Sequence, residues 1–174
     1  ERYEAKIENA VSATDGQVML YGGTPILAVF HSSSAGETWN SGQVWAQDLP
    51  YLQSVSSPEG EGVPNYYSTV ELTEAEFREK FLAARPEADL SGPASGWIRD
   101  PVMDGVHVES VTIGGVSVSG PSVRSIFGLR SASFTAEAGD GKITFYVTGY
   151  GHGVGLSQYG ANAMAEAGST WREI

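Results

Sequence analysis

Three histidines, His31, His107 and His152, are the only side chains in the sequence whose ordinary pKa lies near neutral pH. His31 and His152 each stand where an apolar run gives way to a stretch rich in Ser or Gly. His152 sits in the run Gly149-Tyr150-Gly151-His152-Gly153-Val154-Gly155-Leu156-Ser157-Gln158-Tyr159-Gly160. Glycine at alternate positions lets a backbone approach another surface closely. The N-terminus of a following helix offers free N–H groups to an oxygen-rich ligand. His152, Ser157, Gln158 and Tyr159 carry donors suited to sugar hydroxyls and amides. A tight strand-to-helix turn around a structural histidine accounts for the same residues equally well.

The stretch that starts at His31 and ends at Gly42 has the same two readings. Its serines and Thr38 are natural turn formers that satisfy nearby backbone groups. They also make a polar wall, with Ser33 and Glu37 as hydrogen-bonding groups and Trp39 as a stacking platform for a sugar ring. The second reading is preferred here. His107 alternates with Val106 and Val108, so a solvent-facing place on a strand is expected. Arg124 and Arg130 flank a predicted short helix and are expected to anchor structure rather than clamp a ligand.

Several chemistries are excluded. The glycine run has no Gly-Lys-Ser/Thr and is not a phosphate-binding P-loop. Gly155-Leu156-Ser157-Gln158-Tyr159 lacks the last glycine of a nucleophile elbow. With no cysteine there is no disulfide, thiolate metal site or cysteine nucleophile. The spacing of His31, Glu37 and His152 matches no standard metal site, so no metal and no other cofactor is expected. A formal charge of −11 is a poor match for nucleic acid or an anionic membrane. No apolar run approaches the roughly 18 residues that a spanning helix needs.

The elements that must position these residues are those of an α+β, strand-rich fold with β-hairpins and a few short helices. Tyr3, Ile7, Ala10 and Val11 have helical spacing, closed by Asp15-Gly16. Gly22-Gly23-Thr24 joins two apolar runs, 17–21 and 25–30, as a hairpin. Residues 56–62 read as a flexible loop. Residues 66–72 read as a strand, and Thr73 with Glu76 forms a capping box that starts a helix burying Phe77 and Phe81. Gly114-Gly115 and Gly139-Asp140-Gly141 mark two more hairpins. Pro121 starts a short helix, and a last helix runs over 157–167 with Gly168 at its end. The segment 87–95 is the best internal boundary.

Three stretches together resemble the family of stage II sporulation protein D and the amidase enhancers related to it. They are Tyr21-Gly22-Gly23-Thr24-Pro25-Ile26 leading into the His31 stretch and continued by Val44-Trp45 with Leu49-Pro50-Tyr51-Leu52-Gln53-Ser54-Val55, Arg124-Ser125-Ile126-Phe127-Gly128-Leu129-Arg130-Ser131, and the Gly149–Ala161 run. The match covers nearly the whole chain in order, as the C-terminal portion of such a domain. The resemblance implies a lytic transglycosylase that cuts peptidoglycan glycan strands whose stem peptides an amidase has removed. In this family the catalytic Glu belongs to an upstream segment, so no catalytic residue is assigned to this chain. The chain is then expected to bind and orient the glycan, through His31, Ser33, Glu37, Trp39, His152, Ser157, Gln158 and Tyr159. The rival reading is a non-catalytic wall-binding module that stimulates an amidase. Either places the protein outside the cytoplasm, facing the wall, with peptidoglycan and a wall amidase as partners. A membrane anchor is expected in a preceding segment. Some members hold zinc through cysteines near the His31 motif, where this chain offers only Ser, Glu and Thr.

Overall fold

The structure is a computed structural model that describes residues 3–174. In chain order the elements are α1 (Glu4–Ala13), β1 (Leu20–Tyr21), β2 (Thr24–Pro25), β3 (Phe30–His31), α2 (Ser41–Val44), β4 (Tyr67–Thr73) and α3 (Glu74–Ala84). A 3-10 turn (Ala94–Gly96) leads to β5 (Ile98–Asp104), β6 (His107–Ile113), β7 (Val116–Ser119) and α4 (Gly120–Phe127). The chain ends with β8 (Phe134–Gly139), β9 (Lys142–Thr148), β10 (Leu156–Ser157) and α5 (Gln158–Glu166). This is an α+β, strand-rich fold, as the sequence predicts.

Two antiparallel three-stranded sheets, ordered β4-β9-β8 and β5-β6-β7, share one core with α3 and α4. Strict alternation on β9 buries Ile143, Phe145 and Val147. The capping box forms as expected: the Thr73 hydroxyl accepts the Glu76 N–H, and the Glu76 carboxylate accepts the Thr73 N–H at 2.8 Å. That start turns Phe77 and Phe81 inward, where Phe77 stacks on Phe127 of α4 with ring centroids 4.5 Å apart. Helix α4 begins on the Ser119 hydroxyl, carries Pro121 in its first turn, and stops at Gly128, whose left-handed φ of 70° a side chain would strain. Leu90, inside the segment 87–95, is buried in the same core as Phe81 before it and Trp97 after it.

A smaller cluster of Trp39, Leu52, Ala132 and Val154 underlies the loops that follow β3 and β9. Three details differ from expectation. The first hairpin is only a two-residue ladder, and its Leu20 and Tyr21 are exposed. Strand β5 is not signalled by alternation, because Pro101 and a register irregularity between Arg99 and Met103 break its pattern. The loop expected to be flexible over 56–62 holds two buried polar residues, Ser57 and Glu59.

Candidate functional site

The His31 stretch and the glycine run meet. Strand β10 pairs in parallel with β3, placing Ser157 opposite His31. Ser33 and Tyr150 exchange backbone hydrogen bonds of 3.1 and 2.8 Å, and the Trp39 N–H donates to Gly153 O at 2.7 Å. The alternating glycines serve this pairing. A Cβ at Gly151 would lie 2.5 Å from the His31 Cβ, and one at Gly155 would lie 2.3 Å from Val29 O. The close approach is therefore to the chain's own His31 strand.

His31 and His152 come together, with ring centroids 5.7 Å apart. The His31 ring is buried, and its Nδ1 lies 3.2 Å from Val154 O, so in the neutral ring Nδ1 carries the proton. Burial is the main reason its pKa falls below the ordinary histidine value. The His152 Nδ1 accepts the Val154 N–H at 3.1 Å, which leaves Nε2 as the protonated nitrogen of the neutral ring. Burial lowers its pKa as well, against the pull of the Phe30 carbonyl, and the Arg124 guanidinium adds to the lowering. Trp45, half-buried, packs against His152 at 5.2 Å.

His107 is not exposed as expected; it is 3% exposed and stacks face to face on Trp39 at 4.5 Å. The expected alternation fails here, since His107 and Val108 are both buried, and the His31 loop that covers His107 is 76 residues away (107 − 31 = 76). Burial pushes its pKa down to about 4, more strongly than Glu37 and Asp104 pull it up. Trp39 is 1% exposed, with its ring against His107 and its Nε1–H donated to Asp104 at 2.8 Å. It has no free face for a sugar, because the loop closes over it. Glu37, half-buried, accepts the Val106 N–H at 2.9 Å. Ser33 is buried beside the histidines, Gln158 is exposed and Tyr159 is half-buried at the start of α5. The Ser157 hydroxyl is committed inside the fold: it caps α5 by accepting the Gly160 N–H and donates to Glu59.

Ser33, Ser34, His107, Ser131, Ser133 and His152 border a small, partly open recess about the size of one water. Two of its bordering groups, the Ser33 hydroxyl and the His107 Nδ1, are buried with no hydrogen-bond partner. A single water or hydroxyl entering there would satisfy them.

Sequence reasoning missed Glu59. Its carboxylate accepts the Ser34 N–H at 2.5 Å and the Ser34 hydroxyl at 2.7 Å, besides the Ser157 hydroxyl. Burial alone would raise its pKa. The hydroxyls of Ser157, Ser57 and Ser34, with the Ser34 N–H, outweigh burial and hold it below the ordinary carboxylate value. Glu59 is thus ionised at neutral pH and has no proton to give to a leaving group. Little that is local marks it, for apart from Ser57 its partners lie 25 and 98 residues away. Among the described residues no group of three or more His, Asp or Glu is placed to hold a metal ion. The chemistry on offer is hydrogen bonding and aromatic contact around neutral imidazoles.

No family model matches the chain. It is 40% identical over 169 residues to the stage II sporulation protein D of Bacillus amyloliquefaciens, covering 97% of this chain and 48% of that protein. The corresponding protein of Bacillus subtilis (strain 168) is 38% identical with the same coverage. An amidase enhancer of Bacillus subtilis (strain 168) is 27% identical over 225 residues, 99% of this chain and 31% of that protein. The chain spans about half the length of the sporulation proteins it matches. Over the region it spans, the chain is a homologue of stage II sporulation protein D and, at lower identity, is similar to the amidase enhancer.

Proposed function

We propose that this chain is the glycan-binding portion of a peptidoglycan lytic transglycosylase that acts on peptide-free strands outside the cytoplasm. The observation that carries the reading is the junction of the His31 and glycine loops, where His152 stands between Trp45 and the recess. Trp45, rather than Trp39, offers a half-buried aromatic face. Tyr150 and Gln158 are exposed along the same loops. Aromatic faces beside fixed polar groups suit a sugar, whose ring faces are apolar and whose edges carry hydroxyls. A lytic cut requires a carboxyl that protonates the glycosidic oxygen and then takes the proton of the sugar's own 6-hydroxyl. The reading assigns that group to no residue here: Glu59 is ionised and enclosed, and Glu37 is engaged with the Val106 N–H.

The test is calorimetric titration with peptide-free glycan oligomers, for the parent and for His152→Ala. One hydrogen bond is worth about 0.5–1.5 kcal/mol, so the variant should bind several-fold more weakly, with a modest drop in melting temperature because the Val154 N–H loses its acceptor. A variant that binds like the parent but melts far lower would make His152 structural. The second reading, a module that stimulates a wall amidase, draws on the likeness to the amidase enhancer. Adding the chain to a purified wall amidase on intact peptidoglycan tests it, by the rate of stem-peptide release.

A further inference from the structure

The glycine run is also where two guanidinium groups converge. Arg130 O accepts both the Gly151 N–H at 2.9 Å and the Arg124 Nε–H at 3.1 Å. The Arg124 side chain is thereby held against the loop that carries His152, and its charge is felt at the His152 ring. The Arg130 guanidinium lies under the exposed ring of Tyr150, 5.1 Å from its centroid. Among the described residues neither arginine has a carboxylate partner, although the chain carries 21 acidic residues against 10 basic ones. Arg78 is likewise stacked on an aromatic ring, that of Trp97, and donates to Leu90 O. Arg130 alone among the described arginines has a buried nitrogen, Nη1, with no acceptor. Taking a cationic donor out of water without an acceptor is costly, and an anionic oxygen from outside the chain would repay it.

We propose that Arg130, with Arg124 behind it, is a specificity determinant that pairs with the lactyl carboxylate of the muramic acid residue in peptide-free glycan. The proposal rests on the glycan reading. On a glycan strand stripped of peptides, the one anionic group per disaccharide is that carboxylate, and attaching a stem peptide turns it into an amide. A planar guanidinium fork matches a carboxylate through two parallel hydrogen bonds and loses this match with a neutral amide. Arg124 supplies a second positive charge at the same loop without facing an acid of its own. The pairing would let the site distinguish stripped strands from peptide-bearing ones.

The experiment compares two tetrasaccharides of alternating N-acetylglucosamine and N-acetylmuramic acid, one with free lactyl carboxylates and one with the same groups converted to carboxamides. The parent should bind the carboxylate form about tenfold more tightly, the gain expected of one charge-assisted pair. Arg130→Gln should bring that ratio below about twofold while leaving the affinity for the carboxamide form near that of the parent. Arg130→Lys, which keeps the charge and loses the fork, should fall between, and it serves as the reporter if Arg130→Gln melts below the assay temperature. Equal binding of both sugars by the parent overturns the proposal. So does an Arg130→Gln that weakens both sugars alike, since Arg130 would then act only through the fold. Binding of neither sugar overturns the glycan reading itself, an outcome distinct from the other two.

Discussion

Removing the Glu59 side chain should loosen the junction that builds the site. The carboxylate ties the loop after β3, through Ser34, to the start of α5, through Ser157. In Glu59→Ala the Ser34 and Ser157 hydroxyls can rotate toward other acceptors, but the buried Ser34 N–H cannot. An orphaned buried donor costs about 1–3 kcal/mol, and losing the charge-assisted bonds brings the total to roughly 2–4 kcal/mol. For a chain of this size each kcal/mol moves the melting temperature by about 2–4 °C, so a drop of roughly 5–15 °C is expected at pH 7. Glu59→Gln keeps the shape and one acceptor oxygen and should lose less.

The pH dependence separates the charge from the packing. The folded pKa of Glu59 lies below its unfolded value, so its charge-dependent stabilisation is present above the unfolded carboxylate pKa. It is lost as the pH falls through the folded pKa. The gap in melting temperature between parent and Glu59→Gln should therefore be flat from pH 7 to about 5 and should close in more acid solution. Thermal melts followed by circular dichroism at a series of pH values read this directly. A gap below a degree at pH 7, or one that widens in acid, would refute the reasoning.

Gly160→Ala, which would ordinarily favour a helix by about 1 kcal/mol, should instead destabilise. The added Cβ would lie 2.2 Å from the Ser57 hydroxyl and 2.7 Å from the Glu59 carboxylate, and a higher melting temperature would contradict this. Gly153→Val should lower both stability and glycan affinity, because φ is +80° there and the new Cβ would sit 3.2 Å from the His107 Nε2; melts and calorimetry on one preparation check both. His107 stays neutral in the folded chain down to about pH 4, while the unfolded histidine takes a proton near 6.5. Between those values the unfolded state binds more protons, so His107 should make stability fall as the pH drops, and an NMR titration of its ring should show no inflection above about pH 5. A chelator should leave the melting temperature unchanged, and a large drop would reveal a metal that contributes to folding.

Much of the scaffold is written locally. The capping box at Thr73 and Glu76, the proline in the first turn of α4 and the alternation of Ile143, Phe145 and Val147 each depend on residues a few positions apart. Such signals survive in the sequence because neighbouring side chains and backbone dihedrals decide them. The pairing of β3 with β10 is different. The alternating glycines announced a close approach, but only the folded chain showed that the partner is the His31 strand. The burial of Trp39 and His107 against each other was likewise hidden, because the sequence around each one fits an exposed strand or loop as well as a covered one. Glu59 is the extreme case. In sequence it is one acid in a loop of Ser, Pro and Gly, and it becomes a buried, ionised tie only when donors from two distant segments surround it. Local rules set where helices and turns begin and end; which polar groups are buried, charged or left without a partner is settled by chain segments that meet only in three dimensions.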